Sequence, residues 1–156
     1  MKSRVGAAIA LSAALLVGTT GCTFSAEIAT EKEYDPSDGV GAEVGELAIR
    51  NALLIGETGD ELNLVMTIAS AADVDRRLTV QWEADGERVT EALVVAAGDR
   101  TRVGGPADEN QIIISGTGAT IGGLVPVFFA YSGAEGVEVL VPVLDGALPE
   151  YELYIP

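Results

Sequence analysis

Glu61-Leu62-Asn63-Leu64-Val65-Met66-Thr67-Ile68-Ala69-Ser70 decides the fold. Leu62, Leu64, Met66 and Ile68 fall on one side of an extended chain, and Asn63, Val65, Thr67 and Ala69 on the other. Side chains change face at every step of a strand, so a period of two over this length predicts a half-buried β-strand. Arg77–Glu83 repeats the pattern, with Leu78, Val80 and Trp82 inward and Arg77, Thr79, Gln81 and Glu83 outward. Asp85-Gly86 follows, a pair that tolerates the positive φ of a two-residue hairpin turn. Val89–Ala96 then returns, with Val89, Leu93 and Val95 on one face. Glu91 interrupts that face and reads as an edge-strand charge rather than as an acid of raised pKa.

The pattern extends in both directions. Leu47 and Ile49 alternate, and Leu53 and Ile55 resume after Asn51, a position that suits a bulge. Ile112–Ile114 is a short apolar strand. Val125, Val127, Phe129 and Tyr131 alternate, with Pro126 on the opposite face, so this strand is expected at an edge or bulged there. Val137, Val139, Val141 and Val143 form the last strand, and Asp145-Gly146 turns into the tail. Gly104–Asn110 is the most loop-like stretch, and Gly116–Gly123 reads as a loop or a weak strand. Seven or eight strands spaced about ten residues apart, with no helix after residue 22, predict an all-β Greek-key β-sandwich.

The first residues read as an address. Lys2 and Arg4 precede the apolar run Val5–Val17, which leads through Gly18-Thr19-Thr20-Gly21 to Cys22, the only cysteine. This is the layout of a secretory signal peptide. Its apolar run is shorter than the roughly 20 residues that a spanning helix requires. A lone Cys placed after small residues resembles the lipobox of bacterial lipoproteins, in which the Cys is diacylated and becomes the mature N-terminus. The expected organisation is a lipoprotein signal peptide over 1–21, a flexible acidic tether over 22–40 and the sandwich over 41–156. Two acyl chains hold a protein stably on a bilayer, at about 0.8 kcal/mol per buried methylene. A secretory signal with a coincidental Cys is the alternative.

Charge narrows the function. Two of the nine basic residues lie before Cys22 and all 24 acids follow it, so seven cations face 24 anions and the mature formal charge is −17. Such a body is repelled by anionic headgroups and should stand off the membrane on its tether. It is also no partner for nucleic acid, whose phosphates require clustered Lys and Arg. The absence of His removes Ser-His-Asp and Cys-His catalysis and imidazole metal sites.

Few residues remain to carry chemistry. Copper(I) prefers thioether, thiolate and imidazole donors. After Cys22 the chain offers only Met66, which sits on an apolar strand face and reads first as a core residue. Asp35-Pro36-Ser37-Asp38-Gly39 and Gly59-Asp60-Glu61 are acidic turns without the spacing of an EF-hand loop. No glycine run matches a nucleotide-binding fingerprint, so no cofactor is expected. A hydrolase using paired carboxylates would require a cleft for which this chain has little material. The tail Leu148–Pro156 places Tyr151 and Tyr154 among apolar and acidic residues. Tyrosine suits recognition surfaces, although such a tail can equally pack back on the sandwich.

Three segments together resemble a known group: Tyr34–Val40, Val44–Asn51, and Val141–Gly146 with Leu148–Tyr151. The chain looks like the small actinobacterial surface lipoproteins of the LpqE type, which are distantly similar to periplasmic copper chaperones of the PCu(A)C type. The resemblance implies an immunoglobulin- or cupredoxin-like sandwich on the outer face of the cell membrane. The chaperones bind copper through His and Met, and only Met66 here could stand in for a ligand.

The expectation is therefore a non-enzymatic protein, anchored to the membrane at Cys22, that binds another envelope component, with protein the favoured class. The alternative is metal delivery by a chaperone descendant that has lost the usual ligands.

Overall fold

The computed structural model describes residues 4–6, 37–106 and 110–156. Cys22 and most of the stretches read as signal peptide and tether lie outside them. The chain divides into two units, and the one from Asp35 to Pro156 holds every strand described below.

Among its described residues that unit holds nine strands and a short 3-10 turn, Glu152–Tyr154. The strands are β1 (Val40–Val44), β2 (Leu47–Ile55), β3 (Glu61–Ser70), β4 (Arg76–Ala84), β5 (Glu87–Val95), β6 (Arg100–Val103), β7 (Ile113–Ser115), β8 (Leu124–Ala130) and β9 (Val137–Leu144). One layer pairs β1 with β2, β2 with β3, and β3 with both β6 and β7. The other runs β5-β4-β8-β9. A short parallel pairing joins them, with Leu54 opposite Val143 and Ile55 opposite Leu144. All other pairings are antiparallel, as a sandwich built largely from hairpins requires. Two strands exceed the sequence expectation. β1 begins at Val40, inside the stretch read as tether, and β6 carries a single apolar residue, Val103. The Gly116–Gly123 stretch is a loop.

The core lies where the period-two pattern puts it. Leu62, Leu64, Met66 and Ile68 of β3 face Leu78, Val80 and Trp82 of β4 and Val125, Val127 and Phe129 of β8 in one buried cluster. The Asp85-Gly86 turn closes a hairpin in which all nine residues of β4 pair with β5. Both turn residues have positive φ, 52° and 82°, the twist that matches the flanking strands. Glu91 is exposed on β5, an edge strand.

Asn51 corrects the reading of β2. Its φ of 52° marks a bulge, and the register against β3 shifts between Arg50 and Leu53. One extra residue swaps the faces, so Ala52 and Leu54 follow Leu47 and Ile49 into the main core. Leu53 and Ile55 lie on the opposite face and are buried there, beside Asn63.

Pro126 is not at the edge of its sheet. β8 lies between β4 and β9, and its ladder with β9 continues through Pro126 opposite Leu140. Val143 donates its amide to the Gly123 carbonyl, so residues 123, 125 and 127 bond toward β9 and 124, 126 and 128 face β4. The proline's missing N–H is therefore on the β4 side. The β4·β8 ladder comprises Thr79–Ala130, Val80–Phe129 and Gln81–Phe128, and stops before Pro126.

Candidate functional site

Met66 stands in the middle of β3 opposite Val103, with 2% of its surface exposed. Its sulfur is packed among apolar side chains. Among the described residues, no group of three or more His, Cys, Asp or Glu is placed to hold a metal ion. The acidic turns have local roles. Asp60 accepts from the Thr58 hydroxyl at 3.2 Å, and Asp38 accepts from the Tyr151 hydroxyl.

That last contact places the tail. Tyr151 is half-buried, and the hydrogen bond to Asp38, with some burial, pushes its phenol up to about 12. The Asn63 side-chain amide donates to the carbonyl of Tyr154 and to that of Gly104, each at 2.8 Å. Ile155 packs where a side chain on Gly146 would stand. The structure thus brings the tail back across the sandwich, over the face bearing Asn63. Leu148 and Leu153 remain exposed on it. The hydroxyl of Tyr151 and the backbone of Tyr154 are engaged within the chain.

A recess lies elsewhere, at the ends of β4 and β8 in the second layer. The β4·β8 ladder ends at Gln81 and Phe128, and the loop between β7 and β8 lines the recess beyond it. The loop is held firmly. Gly116 accepts the Asp85 amide at 2.8 Å, and the Ser115 carbonyl accepts the Trp82 indole N–H at 3.2 Å. Gly116 has φ of 69°, and a Cβ there would touch Ala84 and Asp85, so glycine allows the loop to seat on the hairpin. The resulting cleft has a volume of about 1180 Å³.

Its floor is apolar and its rim charged. Phe128 is half-buried, and its ring lies over Gly136, where a Cβ would come within 2.3 Å of the ring. Pro126 and Leu124 extend the apolar floor, and Leu124 is 57% exposed. Glu83, Asp85 and Glu138 contribute carboxylates to the lining, against the single guanidinium of Arg88. Arg88 stands opposite Glu83 in the β4·β5 ladder. The sequence pattern did not disclose this site. Its signals were Pro126, which ends a ladder, and the glycines of the 116–123 loop, which permit close seating.

No family model matches the chain, and no curated protein matches it. Similarity is found among solved structures. The apo PCuAC domain of PmoF2 superposes with a TM-score of 0.52 at 18% identity, covering 70% of this chain and 98% of that domain. The apo PCuAC domain of PmoF1 superposes with a TM-score of 0.51 at 11% identity, covering 67% and 98%. At these identities the likeness is one of fold: the chain has the β-sandwich of the PCuAC domains. Among the described residues, no helix is long and apolar enough to cross a membrane.

Proposed function

We propose that this chain is a non-enzymatic binding protein, held at the extracytoplasmic face of the cell membrane by lipid on Cys22, that recognises another envelope component. The observation that carries this reading is the cleft lined by β4, β8 and the β7–β8 loop, which has a volume of about 1180 Å³ and both apolar and charged groups in its lining. Pockets with an apolar floor and a few polar groups are the common form of a binding site. The signal-like N-terminus and the charge of the chain after Cys22 support the placement outside the cell. The test is made in cells. Cys22→Ala should leave the membrane fraction, and a photo-crosslinking residue at Thr117, in the cleft wall, should capture an envelope component from the anchored chain. Retention of the Cys22→Ala chain in membranes after signal cleavage overturns the anchor, and absence of any adduct at Thr117 overturns the cleft.

A second reading is favoured by the fold shared with copper-chaperone domains: metal delivery, with carboxylates or Met66 replacing lost ligands. It competes with the burial of Met66. A copper(I) competition titration of the full chain in detergent decides it. Stoichiometric binding tighter than about micromolar, roughly 8 kcal/mol, establishes the second reading.

A further inference from the structure

Seven basic residues follow Cys22, and three of them, Arg50, Arg100 and Arg102, come to one face of the first layer. The strand register puts them there. Arg50 of β2 stands opposite Thr67 of β3, and Arg102 of β6 stands opposite the same Thr67 from the other side. Arg100 lies two residues along β6, opposite Ala69. Met66 and Ile68 point into the core, so Thr67 and Ala69 point outward, and residues directly opposite in a ladder share a face. Neighbouring strands lie ~4.8 Å apart, so Arg50 and Arg102 rise from backbone roughly 10 Å apart with Thr67 between them.

Two observations distinguish this face from an ordinary solvated one. Among the described residues, the guanidiniums of Arg100 and Arg102 make no ion pair, although the chain holds 24 acids. Thr67 is half-buried between the arginines, and among the described residues its hydroxyl donates no hydrogen bond. Arg50 is held in place by the Glu43 carboxylate and by the Ile49 carbonyl at 3.0 Å, which occupy two of its five donors.

We propose that Arg50, Thr67, Arg100 and Arg102 form a binding site for a phosphate group, seated over the Thr67 hydroxyl between guanidinium forks. The planar fork matches phosphate oxygens two at a time, and a free hydroxyl supplies a further donor. The acidic balance of the chain repels anions at long range, so binding here depends on these short contacts. Two sources carry this chemistry at a cell surface, a lipid headgroup and a soluble phosphate. The site lies on β2, β3 and β6, away from the cleft on β4 and β8, so its failure leaves the cleft reading untouched.

The full chain in maltoside micelles is titrated with inorganic phosphate and, separately, with short-chain phosphatidylglycerol. The arginine Nε–H signals and the Thr67 amide are followed by NMR. The expected result is a saturable shift of Arg50, Arg102 and Thr67, on the order of millimolar for inorganic phosphate and absent with chloride at equal ionic strength. In Arg50→Gln with Arg102→Gln, the Thr67 shift should require about tenfold more phosphate. Arg77→Gln, on the other layer, should leave it unchanged. Arg102→Lys keeps the charge but loses the fork, and should also weaken binding. Equal shifts with chloride, or equal loss in Arg77→Gln, overturn the site in favour of general attraction. Full affinity in Arg102→Lys overturns the seating between forks. Saturation by phosphatidylglycerol at a lower concentration than by the inorganic ion assigns a lipid headgroup, and the reverse assigns a soluble phosphate. Silence to both overturns the proposal.

Discussion

The hydroxyl oxygen of Tyr131 accepts the main-chain amide of Glu46 at 3.0 Å, across 85 residues of sequence. The contact fixes the β1–β2 turn to the end of β8. Around it, Arg76 lies over the Tyr131 ring at 5.4 Å and bonds the Glu46 carboxylate. That hydrogen bond is the main reason the Arg76 guanidinium is held above its ordinary pKa. Gly45 makes the arrangement possible. Its φ is 56°, and a Cβ on it would come within 2.4 Å of the Tyr131 hydroxyl.

Two substitutions should therefore act on one contact by different routes. Tyr131→Phe leaves the Glu46 amide without its partner and should cost about 1–3 kcal/mol. Gly45→Ala adds backbone strain to a clash and should cost about 2 kcal/mol or more. Combined, they should cost less than their sum, because removing the hydroxyl removes part of the clash. Urea unfolding of the three variants measures this. Strict additivity would show that Gly45 acts through its φ and the approach of Ala134 rather than through the Tyr131 hydroxyl.

The tail should respond to alkali. The folded pKa of Tyr151 is raised above its ordinary 10.0 to about 12, chiefly by the hydrogen bond to Asp38. A raised pKa means that the contact contributes fully below pH 10 and is lost as pH rises through 12. Tail docking should be constant through neutral pH and should weaken between pH 10 and 12. Phenolate absorbance should show a late-titrating component that is absent in Tyr151→Phe. Hydrogen exchange over residues 148–155 should accelerate in that variant at neutral pH.

Asn63 holds the same tail from beneath. Its amide donates to Gly104 and Tyr154, and its own carbonyl oxygen is buried with no hydrogen-bond partner among the described residues. Asn63→Ala removes both bonds and should destabilise by about 2–3 kcal/mol. Asn63→Asp replaces the donor with a buried charge and should be worse. The diagnostic readout is local: exchange should increase at 103–105 and 152–156 before β4 or β8 is affected. Uniform loss of protection would mean that Asn63 supports the whole sandwich.

The sequence made some of this legible and hid the rest for physical reasons. β3, β4 and β5 announce themselves because one face is buried, and Asp85-Gly86 fixes their connection. β1 and β6 do not, since Val40-Gly41-Ala42-Glu43-Val44 and Arg100-Thr101-Arg102-Val103 are held largely by main-chain pairing, which has no side-chain period. Asn51 inverts the faces of β2 while the apolar residues on either side keep an unbroken alternation in sequence. Tyr151 and Tyr154 stand out in composition, yet only the fold brings them to Asp38 and Asn63. The cleft was hidden most completely. It depends on where Gln81 and Phe128 stop pairing and on Gly136 making room for a ring eight residues away, relations that no local pattern encodes.

Met66 offers the sharpest separation between a residue of the core and a ligand. Its side chain is buried opposite Val103 and belongs to the main apolar cluster. Met66→Leu conserves volume and polarity, so it should cost less than about 1.5 kcal/mol. Met66→Ala leaves a cavity and should cost about 2–5 kcal/mol. A ligand role predicts a different ordering. Both variants would lose copper(I) equally, since each lacks the thioether, and stability without metal would not rank the loss. Denaturant midpoints measured with and without copper(I) separate the two. If copper stabilises the wild-type chain and neither variant, the sulfur is a ligand despite its burial. If copper moves none of the midpoints while Ala falls well below Leu, the methionine is there to fill the sandwich.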